Sequence, residues 1–460
     1  MKDIDKSYLI LEEKNLLKSI VILAIPIFLS NLLKSIHSFV DLYFVAPLGD
    51  NAISSIAVTN PIINIAISLA SGFMVAGIAI MSQALGAKKK EYANNIAGHV
   101  LTLCIIGGII FNVLLYFLTP WLVGDVLKAT GETRDLAIQY VQVRSFELVP
   151  LFTFFAFLAS RQASGDTRTP FIFNIVSVGI NVLLTWYFVD KLELGVWGAA
   201  VATLISNVVI VPFFIAMMFL DKKDVYISLK DTKLNSKLAL LIVKLGLPSA
   251  LAQAFTSLGF LILNSWILGY GEATTAAFST GNNINSIVLM PAMGIGQVVA
   301  TFVGQNIGAN NSKRAKDTVR IAMKFTIIFM FIGGLALLPL RRALGEIFLK
   351  NPETLDLSIE YMFFLFTSLP LMAIFQVFMG AYQGLGHTFY SLILAALRLW
   401  GLRLPLVYLF SDVLKLDSSC LWYAMIISNV GATFIGVILY SFCHFDRKIN
   451  KEESLDLLVA

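Results

Sequence analysis

Charged residues are scarce in this chain, and cysteines are nearly absent. Only 14% of the 460 residues are Asp, Glu, Lys or Arg, whereas 57% are hydrophobic and the mean hydropathy is +0.80. A soluble core cannot hide that much apolar surface, so the composition excludes an ordinary soluble protein and indicates an integral membrane protein. The three cysteines are scattered along the chain, which excludes a disulfide framework and a cysteine metal site.

Motifs of common enzymes are also missing from the sequence. There is no GxxxxGK[ST] loop for nucleotide phosphates and no HExxH, paired-aspartate or Ser–His arrangement in the apolar stretches. The absence argues against a nucleotide-driven mechanism and against an intramembrane enzyme. We therefore expect no enzymatic activity, no organic cofactor and no nucleic-acid partner.

Long apolar stretches recur along the whole chain, and each is long enough to cross about 30 Å of hydrocarbon as a helix. The first one follows a mixed-charge start and lacks a small-residue cleavage site, so we interpret it as a membrane helix rather than a signal peptide. The fold class predicted is an all-α polytopic membrane protein. Twelve spans are predicted, over 19–45, 52–82, 91–118, 136–160, 169–190, 195–220, 238–268, 274–304, 313–338, 355–383, 389–411 and 417–443.

The basic residues between these spans predict the orientation. Twenty Lys and Arg fall on the side that holds both termini, against seven on the other side. Because basic loops stay in the cytoplasm, both termini are expected there, with the protein in a prokaryotic plasma membrane. The run Lys88–Lys90 fits this rule, and it could also contact anionic membrane lipids.

The two halves of the sequence repeat one another. The aligned pairs at an offset of 222 include Pro26 with Pro248, Gly49 with Gly271, Gln83 with Gln305, Gly86 with Gly308 and Asn207 with Asn429, and those at 221 include Gln162 with Gln383 and Gly165 with Gly386. This duplication predicts an N-terminal lobe over 1–220, a cytoplasmic linker over 221–237 and a C-terminal lobe over 238–460. Since six helices is an even number, the halves are parallel repeats about an axis along the membrane normal, and alternating access between the lobes follows as a hypothesis.

Several sequence blocks carry a family resemblance. They are VDLYFVAPLGDNAISSIA, SQALGA, RQASGDTRTP, GVWGAAVATLIS, VGQNIGA, YQGLGH and the stretch from Arg398 to Pro405. In order and spacing they resemble the multidrug and toxic compound extrusion (MATE) family over nearly the whole chain, in particular its subgroup similar to DNA-damage-inducible protein F. The resemblance implies a V-shaped pair of six-helix lobes that exports drug-like, mostly cationic compounds in exchange for Na⁺ or H⁺.

Asp41 is the leading candidate for the coupling site. A charged carboxylate inside a span persists mainly where it faces a partner or an aqueous cavity, and the resemblance implies a titratable aspartate at this position. Two alternatives stay open: Asp41 pairs with Lys34 or His37 on the same helix face, or His37 relays protons to it.

The resemblance also implies oxygen donors near Asp41, namely Tyr140, Asn181 and Thr203. Thr185 stands where the family often carries a second aspartate. One carboxylate is neutralised by one proton, whereas Na⁺ would need neutral donors as well, so we favour H⁺ over Na⁺ as the coupling ion. We expect no other metal.

The C-terminal lobe departs further from the family pattern. Thr256 and Ala373 replace family carboxylates, so we expect no coupling cation in this lobe. Arg398, Arg403 and Asn174 are candidates for the substrate cavity, where the arginines would favour anionic or zwitterionic substrates. The alternative is that each arginine snorkels or packs within the lobe.

Three further expectations complete the sequence analysis. Pro26 and Pro248 each remove a hydrogen bond in the first helix of a lobe and are predicted hinges. Glu147 is expected to be neutralised by Arg144, three residues earlier on the same helix face. The alternative function is a flippase for lipid-linked oligosaccharides or lipids, and we expect a monomer that acts on small organic substrates.

Overall fold

We describe a computed structural model of the chain, over residues 6–222, 224–446 and 449. Within these residues, eleven helices are long and apolar enough to span a membrane, and two more helices form a twelfth span with a bend of 45°. In chain order they are α1 (Leu16–Leu48), α2 (Asp50–Gly86), α3 (Lys90–Val126), α4 (Gly131–Phe146 and Leu148–Ala163), α5 (Arg168–Lys191), α6 (Gly195–Leu220), α7 (Ser236–Gly269), α8 (Glu272–Gly308), α9 (Ser312–Leu337), α10 (Pro352–Leu385), α11 (Thr388–Val413) and α12 (Cys420–Ser441). The twelve predicted spans are confirmed. Five basic residues of the charge count lie outside the described residues: Lys2, Lys223, Arg447, Lys448 and Lys451.

The bend in α4 is a correction to the sequence analysis. We predicted one continuous span over 136–160, but the helix ends at Phe146 and begins again at Leu148. Pro150 accounts for the break, because it has no N–H to donate to the Phe146 carbonyl and its ring crowds that oxygen. The bend leaves Glu147 at the joint between the two helical pieces.

The backbone carries the duplication into three dimensions. Helices α2 and α8 have the same length, 37 residues, and each begins after a glycine with φ of 103°, Gly49 and Gly271. The turns after them contain Lys88 and Asn310, both left-handed with φ of 59°. Each pair is separated by the offset found in the sequence, so the two lobes, α1–α6 and α7–α12, are pseudosymmetric copies.

The lobes meet along α1, α2, α7 and α8, and they approach most closely where α2 and α8 end. A Cβ atom added at Gly86 would lie 1.9 Å from the Gln305 carbonyl oxygen, and one at Gly308 would lie 2.0 Å from that of Gln83. Only residues without a side chain allow such backbone contact between helices. These two symmetric contacts close one end of the molecule.

Hydrogen bonds between the lobes reinforce this closed end. The side-chain amide of Gln83 donates to the Gly384 carbonyl oxygen at 3.1 Å. Its repeat counterpart, Gln305, donates to the Ala163 carbonyl oxygen at 2.6 Å. Each bond joins the end of α2 or α8 to the last turn of a helix in the other lobe, so the same contact is made twice.

A short helix before α1, Lys6–Leu11, crosses the closed end. The Lys6 ammonium lies 2.8 Å from the Asp224 carboxylate of the linker and 3.3 Å from the Asp166 carboxylate of the first lobe. The Ile10 carbonyl oxygen accepts a hydrogen bond of 3.1 Å from Arg314 on α9. The segment therefore contacts both lobes at once.

The linker over 221–237 packs against α3 instead of running free. The Asn94 side chain accepts from the Tyr226 N–H at 3.2 Å, and His99 Nε2 accepts from the Asn235 N–H at 2.8 Å. These bonds satisfy backbone donors of the linker. The connection between the lobes is thus fixed at both of its ends to the N-terminal lobe.

The closed end gives a first prediction. Gly86→Ala forces a methyl group into the Gln305 backbone, and overpacking of this kind costs about 1–3 kcal/mol, so it disfavours the closed arrangement. In a background without native cysteines, we expect spin labels at the exposed positions Lys89 and Lys313 to move apart in electron–electron distance measurements. Gly333→Ala is the matched control, since nothing lies within 4 Å of a Cβ added there. An unchanged distance in Gly86→Ala would contradict the prediction.

Candidate functional site

A cavity of about 590 Å³ lies between the two lobes. Its walls come from α1, α2 and α4 of the first lobe and from α8 of the second, which contributes Asn283 and Ser286. The lining residues of α1 belong to its last two-fifths, from Lys34 onwards, and those of α2 to its first half. The cavity therefore occupies the half of the molecule opposite the closed end.

Asp41 lines this cavity, and its side chain is 19% exposed. One carboxylate oxygen, Oδ2, lies 3.6 Å from His37 Nε2, which is longer than a normal hydrogen bond. The other, Oδ1, is buried and has no hydrogen-bond partner among the described residues. Lys34 lines the same cavity but forms no ion pair with Asp41 within the described residues. Asp41 thus keeps an open acceptor at the cavity wall.

Glu147, at the α4 joint, is in contrast fully engaged. Its Oε2 accepts from Arg144 Nε, and its Oε1 accepts from the Asn207 amide on α6 at 2.8 Å. Arg144 also donates to the Tyr140 hydroxyl at 2.8 Å. The predicted neutralisation of Glu147 by Arg144 is confirmed. Asp41 is left as the carboxylate with unused acceptor capacity at this cavity.

Helices α5 and α6 bring together two of the predicted donors. The Asn181 amide donates to the Thr203 hydroxyl at 3.2 Å, and that hydroxyl donates to the Ala199 carbonyl oxygen at 3.0 Å. Asn181 Oδ1 and Thr185 Oγ1 are buried and have no partner. Because buried polar atoms are nearly always satisfied, two open oxygens on one helix face need explaining.

Thr185 lies at about the depth of Asp41 and Asn181 one helical turn deeper, although neither lines the cavity. Helix α5 packs directly against α1. Asp41 and Thr185 lie seven and six residues before the ends of their spans, and these ends are at the same face of the protein. Carboxylate, amide and hydroxyl oxygens can hold a hard cation or a shared proton.

The other candidate residues lie elsewhere. Asn174 is half-buried on α5, while Arg398 and Arg403 are buried within the second lobe, and none of the three lines the cavity described above. Pro26 and Pro248 lie inside α1 and α7, which continue as helix through them. The role of Asn174, Arg398 and Arg403 in substrate binding stays a prediction. So does the role of the two prolines as hinges.

Asn207 is a member of the Glu147 network that the sequence did not predict. The repeat alignment marked it, because it pairs with Asn429, but its partner Glu147 lies 60 residues away on another helix. The side-chain oxygen of Asn207, Oδ1, accepts from the Ser177 hydroxyl at 3.1 Å, which extends the network to α5. Only the packing of α4, α5 and α6 shows this arrangement.

Comparison with known proteins decides the family. The MatE family model matches the chain twice, over residues 26–187 and 248–409, which are one repeat apart. The chain belongs to the MATE family. It is therefore a membrane transporter rather than an enzyme. The two matched segments begin at the proline of α1 and at its counterpart in α7.

Individual relatives span almost the whole MATE chain. It is 26% identical to the probable multidrug resistance protein YoeA of Bacillus subtilis, over 88% of this chain and 89% of that protein. It is also 26% identical to the multidrug export protein MepA of Staphylococcus aureus, over 96% of both. The fold is that of a crystal structure of MATE in complex with MaL6, with a TM-score of 0.89 at 24% identity over 95% and 97% of the chains. A MOP superfamily transporter from Pyrococcus furiosus gives the same TM-score and identity over 95% and 98%.

The engaged carboxylate of α4 gives a second prediction. Glu147→Gln leaves the half-buried Arg144 guanidinium without its counter-charge, and removing one partner of a buried pair costs up to about 3–5 kcal/mol. We expect a marked fall in the melting temperature of the purified protein. Glu346→Gln is the control, because it breaks the exposed pair with Arg342, and exposed pairs contribute about 0–1 kcal/mol. Equal melting temperatures for the two variants would contradict the assignment.

Proposed function

We propose that this MATE transporter exports organic, mostly cationic drug-like compounds in exchange for H⁺, by alternating access of its two lobes. The names of the relatives YoeA and MepA, a multidrug resistance protein and a multidrug export protein, support the substrate class. The coupling group is Asp41. Its position on the wall of the interlobe cavity, with one buried oxygen unpartnered, is the observation that carries the proposal.

The energetics favour an aspartate that changes its charge during transport. An ionised Asp at the centre of a membrane helix costs about 3 kcal/mol on insertion scales. Protonation removes that cost, and so does a bound organic cation that contacts the carboxylate. A proton and a cationic substrate therefore compete for one negative charge, which is the basis of exchange between them.

The donor set supports H⁺ rather than Na⁺. With Glu147 occupied by Arg144 and Asn207, the site offers one free carboxylate and two neutral oxygens, those of Asn181 and Thr185. One proton neutralises such a site completely.

The closed end and the cavity correspond to one stage of the transport cycle. The turn with Lys88–Lys90 belongs to the closed end, and the basic-loop rule assigns that end to the cytoplasm. The cavity then faces outward, in a prokaryotic plasma membrane. Substrate binds when the cytoplasmic end is open, the lobes rock about α1, α2, α7 and α8, and protonation of Asp41 from outside releases it.

The flippase alternative is less well supported by the cavity. A headgroup carrying several phosphates calls for several free cations in the wall. Of the lining residues, Lys34 and Arg144 are cationic, and Arg144 is already paired with Glu147. We therefore retain drug export as the function.

Asp41→Asn tests the coupling group directly. In proteoliposomes we expect the variant to lose dye efflux driven by a pH gradient, because its neutral amide cannot exchange a proton. A Na⁺ gradient imposed separately should drive little efflux in either protein. Asp135→Asn, at an exposed aspartate of α4, should behave as wild type. Undiminished pH-driven efflux in Asp41→Asn would remove Asp41 from the mechanism.

Thr185→Asp tests the choice of ion. A second carboxylate at this buried position adds the charge that a Na⁺ site needs, so we expect Na⁺-driven efflux to rise well above the wild-type level. Thr185→Asn, which has the same size without the charge, is the matched control. If the two variants respond alike to Na⁺, the charge argument fails.

A further inference from the structure

The second lobe contains a polar cluster that the coupling mechanism does not use. Arg398 and Arg403 both lie in the π-helical stretch Leu397–Arg403 of α11, and their exposures are only 8% and 4%. π-Helical turns are rare and occur frequently at functional sites. The wider turn brings residues five apart toward one face of the helix.

Neither guanidinium has a counter-charge. Arg403 donates to the Ser428 hydroxyl and to Asn429 Oδ1, each at 2.9 Å, and both partners are neutral residues of α12. Arg398 stacks over the Phe375 ring at 4.0 Å. Across the described residues, no carboxylate forms an ion pair with either arginine. In the first lobe, by contrast, Arg144 and Arg161 each pair with at least one carboxylate.

Two buried donors beside these charges are unsatisfied. Arg398 Nε and Asn429 Nδ2 are both inaccessible to solvent, and neither has an acceptor in the part of the chain that the structure describes. Stacking on Phe375 covers one face of the Arg398 guanidinium and does not supply an acceptor for the N–H bonds at its edge. Buried charge and unpaired N–H groups are both unfavourable unless an acceptor neutralises them.

The repeat shows that this is an inversion of the first lobe. Asn429 is the counterpart of Asn207, whose amide nitrogen donates to the Glu147 carboxylate. In the second lobe the same amide uses its oxygen to accept from Arg403, so its nitrogen is left free. At this repeated position the polarity is therefore reversed: the asparagine donates to a carboxylate in the first lobe and accepts from a guanidinium in the second.

We propose that the second lobe binds a small monovalent anion, a halide or a carboxylate, between Arg398, Arg403 and the Asn429 amide. One anion supplies the missing acceptor for both open donors and offsets the charge of the guanidinium pair. The site is separate from Asp41 and does not depend on which cation drives export. The Asp41→Asn variant should therefore retain it.

An anion titration tests the site. At constant ionic strength, with a bulky sulfonate as the replacement anion, the melting temperature of the purified wild type should rise saturably with chloride or acetate. Arg398→Gln should raise by about tenfold or more the anion concentration that gives half of the maximal rise in melting temperature. Arg320→Gln, at an exposed arginine of α9, should leave it unchanged. No anion dependence in wild type, or the same dependence in Arg398→Gln, would overturn the proposal.

A second variant distinguishes loss of the anion site from general destabilisation of the fold. Asn429→Asp keeps the shape of the side chain and supplies the missing negative charge from within the protein. We expect it to melt higher than wild type in the absence of small anions and to be insensitive to chloride and acetate. A variant that melts lower than wild type and still responds to chloride would count against the site.

The source of the anion is distinguished by transport of two dyes. Tetramethylrhodamine methyl ester is a cation, and its free acid carries a carboxylate on the same ring system. If Asn429→Asp impairs efflux of the free acid alone, the site holds a substrate carboxylate. If Asn429→Asp changes the efflux of both dyes to the same extent, the site holds an inorganic anion. Asp41→Asn separates the two proposals. If this variant exports neither dye but its melting temperature still rises with chloride or acetate, the result bears on the coupling proposal alone.

Discussion

The structure depends on how charge is tolerated at membrane depth. A carboxylate or guanidinium in hydrocarbon is stable only when a partner, a cavity or a bound ion compensates it. In the first lobe Glu147 is compensated within the protein, by Arg144 and by Asn207. Asp41 has only the distant His37 imidazole, 3.6 Å from Oδ2, and it lies at a cavity wall. The proposed coupling role of Asp41 rests on this difference, because a proton or a cationic substrate can supply the missing compensation.

Close packing at one end supplies the second part of the mechanism. The contacts of Gly86 and Gly308 are backbone to backbone, and the amides of Gln83 and Gln305 repeat the same bond in opposite directions. Such contacts are either fully formed or lost, since a small separation removes the hydrogen bonds. An end built in this way favours two discrete arrangements of the lobes over a continuum. Alternating access requires such a pair of states.

Hydropathy and spacing predicted the twelve spans, the duplication and the Arg144–Glu147 pair, because all three depend on short-range or periodic features of the chain. The break in α4 was not predicted, although Pro150 is visible in the sequence. Prolines inside membrane helices have different outcomes: α1 continues through Pro26, whereas α4 breaks before Pro150. The outcome depends on whether neighbouring groups satisfy the freed carbonyl, which the sequence does not encode locally.

Contacts between residues on different helices were the other feature that the sequence did not predict in full. Asn181 and Thr203 were expected near Asp41 from a family resemblance, and the hydrogen bond that joins the two to each other is observed. The bond from Asn207 to Glu147 and the inverted pairing of Asn429 with Arg403 have no local signature in the chain. Whether an asparagine donates or accepts depends on the charge that the fold places beside it.

The most direct test of coupling through Asp41 is proton release on substrate binding. A cationic dye is added to the purified transporter in weakly buffered solution, at a pH where Asp41 is protonated, and the released protons are measured. The account predicts release of about one proton per bound dye in the wild type and none in Asp41→Asn, since one carboxylate serves both ligands. Binding without proton release in the wild type, or equal release in the variant, would contradict it.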